Sequence, residues 1–382
     1  MNIIRQHSET GDVVTLERGQ GRGERYISGH HNGTDALSIF DDFPPASGNV
    51  AAQLVFGGCG FHDAARAKMA GAGWPLLWVQ GDVCSGAHVA GVQAFALDGI
   101  PVRRIHLENG VVGSAWSDDD AEYCLLAGIL PLNVKADRYE QTRTCFERIE
   151  AGVKKAGMDF SHVVRTWFFL DHLLDWYDVF NKARTDFFNE RGVFAHLVPA
   201  STGIGAGNPA GAALAAGALA IKPKHGNVSI EEICSPLQCP ATAYRSSFAR
   251  AVEIGYPDRR QLIISGTASI APEGATLYEG DVVKQIHLTL DVIEAILKSR
   301  GMDWPDTVRA VGYFHDIREL PKFNECLRAR GIAPFPMAPA HATVCRHDLL
   351  FEMELDAIVP ATKRTSCPPC DCRTTQPVSV QQ

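Results

Sequence analysis

No apolar run in this sequence reaches transmembrane length. The longest weakly polar stretch, residues 210–221, is short and rich in Ala and Gly, well under the ~20 residues that cross a bilayer as a helix. The first ten residues, Met1 to Thr10, lack the apolar core of a secretory signal. A cytoplasmic protein with no membrane partner is expected. Lys and Arg gather in nothing larger than a pair or triplet, and the net charge is −8, so a phosphate-backbone partner is disfavoured and no nucleic acid is expected. No Gly-x-Gly-x-x-Gly joins a strand to a helix, and no Gly-Lys-Ser/Thr occurs, which excludes the usual nucleotide cradles. The histidines show neither His-x-His nor His-Glu-x-x-His spacing. Neither a cofactor nor a metal is expected.

Cysteine is present but unpatterned. Eight of the 11 are scattered through the body without a repeated close pair, which reads as reduced thiols in small core positions more than a disulfide framework. The other three form Cys367-Pro-Pro-Cys370-Asp-Cys372, half of a zinc-site spacing with no second half nearby, in a Pro-, Thr- and Gln-rich tail that reads as disordered. What remains is ordinary: 382 residues, 46% hydrophobic and 21% charged, enough for two or three globular units.

The organisation shows in an internal repeat. One copy runs from a strand at 122–129 through a helix opening at Arg138, then Gly157-Met158-Asp159, a strand at 166–170, a helix at 176–188 carrying Asn181, and a strand at 212–221. A second runs from a strand at 261–265 through a helix at 283–299, then Gly301-Met302-Asp303, a strand at 310–314, a helix at 321–328 carrying Asn324, and a strand at 349–358. Helix faces follow from apolar spacings of three and four. The expected units are 1–115, β-rich and readable as a third, eroded copy; 116–225; 226–360; and the tail 361–382.

The candidate chemistry gathers in the second copy's last strand. Glu352 sits among Leu350, Phe351 and Met353, where charge is costly. It is either an acid of raised pKa or an outward-pointing residue of an edge strand. Its counterpart in the first copy is about Ala215, which weighs toward function, since a carboxylate needed for the fold belongs in both copies. Glu354 shares its strand face and is an equal candidate on these grounds. Cys345, seven residues before Glu352, is a buried apolar residue or a participant. Arg165, Arg245 and Arg250 are candidate carboxylate clamps. Arg309 matches Arg165 in the second copy, so a structural role common to both competes. Tyr244 suits a ring hydroxyl, and the Gly-rich segment Thr202-Gly203-Ile204-Gly205 offers backbone N–H groups to an anion.

The second copy's series Leu262-Ile-Ile-Ser-Gly266, Gly280-Asp281, Gln285, Gly301, Phe323-Asn324 and Leu350-Phe-Glu-Met-Glu354 resembles the Rid/YjgF superfamily, also described as L-PSP endoribonucleases. That resemblance implies an α+β fold of tandem chorismate-mutase-like units, with mixed sheets bearing helices on one face, packed as a pseudo-trimeric barrel with sites between units. A pseudo-trimeric monomer or a homo-oligomer would meet this. Family imine deaminases hold a substrate carboxylate with an Arg before the closing strand; here Met337 stands there. The chorismatase branch is similar in Arg165-Thr-Trp, Pro199-Ala-Ser-Thr-Gly-Ile-Gly-Ala206, Tyr244-Arg-Ser-Ser-Phe-Ala-Arg250 and Cys345-Arg-His-Asp-Leu-Leu-Phe-Glu-Met-Glu354. It departs in a contracted Tyr-Arg segment and in Gly207-Asn-Pro-Ala-Gly211. What the branch implies is a small carboxylated substrate, chorismate or similar, with Glu352 as the acid. A Cys at position 345 goes there with 3-hydroxybenzoate as product and an Ala with a dihydroxycyclohexadiene acid. The other readings are a divergent enamine/imine deaminase of a biosynthetic pathway and a non-catalytic small-ligand-binding protein.

Overall fold

A computed structural model describes residues 1–30, 37–42, 49–69, 73–81, 89–108, 110–241 and 246–362. Three six-stranded sheets organise the chain. The first holds β1 (Asn2–Ser8), β2 (Gly11–Gly19), β3 (Arg22–His30), β4 (Asn49–Gly57), β5 (Leu76–Val79) and β6 (Val89–Asp98), with short helices α1 (Ile39–Asp42) and α2 (His62–Lys68). The second holds β7 (Arg103–Leu107), β8 (Gly110–Ser117), β9 (Ala121–Ile129), β10 (Val163–Leu170), β11 (Ala200–Gly205) and β12 (Leu214–Pro223), with α3 (Arg138–Lys155) and α4 (Tyr177–Glu190). The third holds β13 (Ser229–Ile233), β14 (Ala251–Gly255), β15 (Arg259–Ala268), β16 (Thr307–Phe314), β17 (Ala338–His341) and β18 (Phe351–Pro360), with α5 (Val282–Ser299) and α6 (Leu320–Ala329).

The strand order is the same in all three: β1-β2-β3-β6-β4-β5, then β7-β8-β9-β12-β10-β11, then β13-β14-β15-β18-β16-β17. Each is an antiparallel meander that receives the unit's last strand at its centre and ends in one parallel edge pair. β7 and β8 hydrogen-bond into the second sheet, so that sheet starts ahead of the expected border at 116.

The repeated Gly-Met-Asp has a local cause. After α3, Gly157 takes φ 80° while its N–H reaches Lys154 O and the Met158 N–H reaches Val153 O. After α5, Gly301 (φ 66°) and Met302 repeat this with Lys298 and Leu297. This is a Schellman stop, with the buried Met as its apolar contact. Asp159 and Asp303 then cap the turn that feeds β10 or β16. At the other ends, Asp137 and Asp281 accept from the N–H groups of Glu140 and Lys284, opening the two long helices.

Helices α3–α6 cover the outer faces of their sheets over apolar cores. The inner faces pack on one another. Phe56, Phe169 and Tyr313, each next to last in β4, β10 and β16, meet there: the Phe56 ring centre lies 6.0 Å from Phe169 and 5.9 Å from Tyr313. Among the described residues the second and third sheets are joined by isolated bridges, Ala200 with Ala249 and Gly205 with Thr343, and not by a continuous ladder. No helix is long and apolar enough to cross a membrane among the described residues.

The tail cysteines lie outside the described residues. Six body cysteines are free thiols, but Cys234 is disulfide-bonded, which corrects the expectation of a reduced thiol there; its partner lies outside the described residues.

Candidate active site

Alternation along β18 sends Phe351, Met353 and Leu355 into the helix-side core and Glu352, Glu354 and Asp356 to the inner face. Glu352 pairs with Tyr313 across the sheet, and in the second sheet Ala215 pairs with Phe169 at the same register. The counterpart read from the repeat therefore holds. A neighbouring cavity of about 230 Å³ is lined from the second unit by Tyr177, Asn181, Arg184, Ser201 and Gly203. From the third it is lined by Ser246, Phe248, Arg250, Gly266, Ala268, Ile270, Cys345, Arg346 and Glu352.

Glu352 is 5% exposed, and among the described residues no side chain or backbone group hydrogen-bonds its carboxyl. Burial, then the negative charge of Glu354, push its pKa up to about 8, against the pull of Arg165 and Arg250. It is a neutral acid at pH 7. Glu354 is the opposite case. Its Oε2 accepts from Arg165 at 2.6 Å and Thr202 Oγ1 at 2.5 Å, and its Oε1 accepts from Trp167 Nε1 at 2.9 Å and from Arg309. Burial opposes its charge, but Arg165, Arg309 and these bonds hold it down at about 2. Two carboxyls on one strand face are thus driven apart in acidity, the pattern that assigns an acid and a fixed charge.

Room for Glu352 comes from Gly266, at an irregularity where the β15–β18 register shifts between Ile264 and Thr267. A Cβ there would stand 2.0 Å from Glu352 Oε1 and 3.0 Å from its Cδ. Gly266→Ala is therefore expected to displace the carboxyl and to lower turnover at least tenfold with the circular-dichroism spectrum kept. Wild-type turnover in that variant removes Glu352's orientation from the account.

Three arginines face the cavity. Arg184 of α4 donates to Asn181 Oδ1 at 2.6 Å and lies over Phe180 and Phe248, at 5.1 and 5.8 Å. Arg250 donates from Nε to Cys239 O at 3.1 Å and lies 5.5 Å from the Phe248 ring centre. Arg346 reaches Gly274 O at 2.7 Å. The Cys345 thiol is pushed up to about 12 by burial and the nearby Glu352, so it stays protonated and is no thiolate nucleophile.

Of the residues expected from sequence, Glu352, Cys345, Arg250 and Gly203 share this cavity. Arg165 does not: fully buried, it bonds Glu354, Thr202 and Ile264 O, an internal anchor where a substrate clamp was expected. Thr202 is committed to the same anchor. Gly205 lies in β11 with its N–H on Thr343 O at 2.7 Å, so the expected anion loop is a paired strand at that point. Tyr244 and Arg245 lie outside the described residues. Sequence reasoning missed Arg184, Tyr177, Phe248, Arg346 and Gly266. Arg184 carried a signal, an Arg on the apolar face of a helix between Phe180 and Phe187.

The endoribonuclease L-PSP family model matches twice, over residues 121–233 and 241–360. The chain belongs to this family, in tandem copies. Family relatives include a 3-hydroxybenzoate synthase of Streptomyces hygroscopicus, 29% identical over 62% of this chain and 74% of the relative. A chorismatase of the same organism is 26% identical over 65% of this chain and 74% of its own. A chorismatase crystal structure superposes with a TM-score of 0.63 at 18% identity, covering 88% of this chain and 98% of that one, a likeness of fold.

Proposed function

We propose that the protein cleaves the enolpyruvyl ether of chorismate, giving 3-hydroxybenzoate and pyruvate, with Glu352 as general acid. The observation that carries this reading is the buried, neutral Glu352 in a cavity faced by Arg184, Arg250 and Arg346; the two relatives' names agree with it. Chorismate brings two carboxylates, suited to arginine forks, and an enol ether whose terminal carbon must take a proton. A carboxylic acid that is neutral near pH 7 is matched to that step. Protonation gives an oxocarbenium ion, capture by water and collapse release pyruvate, and dehydration of the remaining ring restores the water and leaves the aromatic acid. The products together carry every atom of chorismate. Cys345 stands beside Glu352 as an undissociated thiol. One chain supplies both walls, so a monomer suffices to build this site.

The reading as an imine deaminase finds little support: Met337 packs against the third unit's core, away from the cavity. The test is pyruvate release from chorismate by the purified protein, and release no faster than in a Glu352→Gln control ends the proposal.

Two further results are expected. Because Glu352 must carry its proton and loses it near pH 8, kcat/KM for chorismate should hold through neutral pH and fall above about 8, tenfold per pH unit. A limb that falls only toward acid pH contradicts an acid role. Cys345→Ala should shift product from 3-hydroxybenzoate toward the dihydroxycyclohexadiene acid, read by chromatography. An unchanged product ratio separates Cys345 from product choice.

A further inference from the structure

Glu354 is held from two sides. Arg165 and Thr202, which line neither cavity, bind Oε2, whereas Trp167 and Arg309, the donors to Oε1, line a separate, mostly apolar cavity of about 120 Å³ among the three sheets. Both guanidiniums flank the Trp167 ring, at 5.1 and 5.7 Å. Glu354 is 0% exposed and lines neither cavity, so it touches no substrate. A carboxylate buried with four donors is fixed in place and in charge. Two residues along one strand face put it roughly 7 Å from Glu352 at the backbone.

The groups facing Glu352 come from several elements: Glu354 on its own strand, Tyr313 on β16, Arg165 on β10, Arg250 ahead of β14, and Cys345 in the preceding turn. Those facing Glu354 are Arg165, Trp167, Thr202, Arg309 and Tyr313, with Asp356 sharing Arg309. Arg250 in the cavity and Arg165 behind it favour an ionised Glu352; burial opposes them first, and the negative charge of Glu354 second.

We propose that Glu354 is a positioning residue for the acid step: a fixed negative charge behind the cavity that keeps the proton on Glu352 until the substrate takes it. The same charge neutralises Arg165, so that Arg165 anchors the strand without stripping the acid beside it. This inference rests on Glu352 being the acid, but its test needs no substrate.

The Glu352 titration is read by carbon NMR of protein labelled at the glutamate carboxyls, the resonance being assigned by its loss in Glu352→Gln. In wild type the midpoint should lie near 8. Glu354→Gln should lower it by about one pH unit or more, and Glu354→Asp, which keeps the charge, should restore it. Arg309→Gln keeps a donor to Glu354 and removes the positive charge, so it should move the midpoint up; it decides the matter if Glu354→Gln does not fold. An unchanged or raised midpoint in folded Glu354→Gln, or an unchanged or lowered one in Arg309→Gln, overturns the proposal. A purely structural Glu354 would change stability and leave the Glu354→Gln midpoint at the wild-type value. If chorismate proves not to be the substrate, these midpoints still decide Glu354's part.

Discussion

Glu352→Gln should slow pyruvate release from chorismate by about 10²–10⁴-fold, the range a positioned acid contributes, with KM little changed. Gln keeps the shape and polarity of a neutral Glu, so the Gly266 recess still accepts it and Glu354 keeps its four donors. The loss therefore belongs to kcat. Steady-state kinetics with a coupled pyruvate assay reads it directly. A variant within threefold of wild type would mean that the proton comes from elsewhere, and a large rise in KM with kcat kept would make Glu352 a binding group.

Arg165→Met should lower the free energy of unfolding by about 3–5 kcal/mol, the cost of removing one partner from a buried ion pair. Arg165 and Glu354 are both 0% exposed at the side chain, so solvent does not repair the loss. Arg309 remains on Glu354, which places the change at the lower end of that range. Urea unfolding of variant and wild type measures it. Lys182→Ala, which breaks the solvent-facing pair with Asp186, should shift the midpoint hardly at all. If the two variants lose the same amount, the buried anchor is not what joins β10 to β18.

What the sequence made legible was local. Gly157-Met-Asp and Gly301-Met-Asp announced the repeat because helix stop, buried Met and turn cap lie within a few residues of one another. The faces of α3 and α5 showed through their apolar spacing. The first sheet was harder. β1 is mostly exposed, so its residues alternate weakly, and its only described helices are short; the shared strand order appears only once pairings across the sheet are known. Glu352 stood out as a carboxyl among apolar neighbours. Glu354 stood out equally by its neighbours, and only the family resemblance selected Glu352. The partners of Glu354 come from positions 165, 167, 202 and 309, brought together by packing of two units. Arg165 was misplaced for the same reason: an arginine read as facing a ligand in fact faces a carboxylate far along the chain. Gly266 entered only as one letter of the family series, and its role at the site was hidden, because that role lies in the 2.0 Å between its missing side chain and Glu352.

The central claim is acid-driven cleavage of chorismate by a neutral Glu352. Its most direct measurement is product stoichiometry: purified protein and chorismate at pH 7, with pyruvate and 3-hydroxybenzoate quantified together in wild type and Glu352→Gln. The account predicts the two products in equal amounts from wild type and almost none from the variant. Chorismate left intact by wild type, or consumed equally by both proteins, would contradict it.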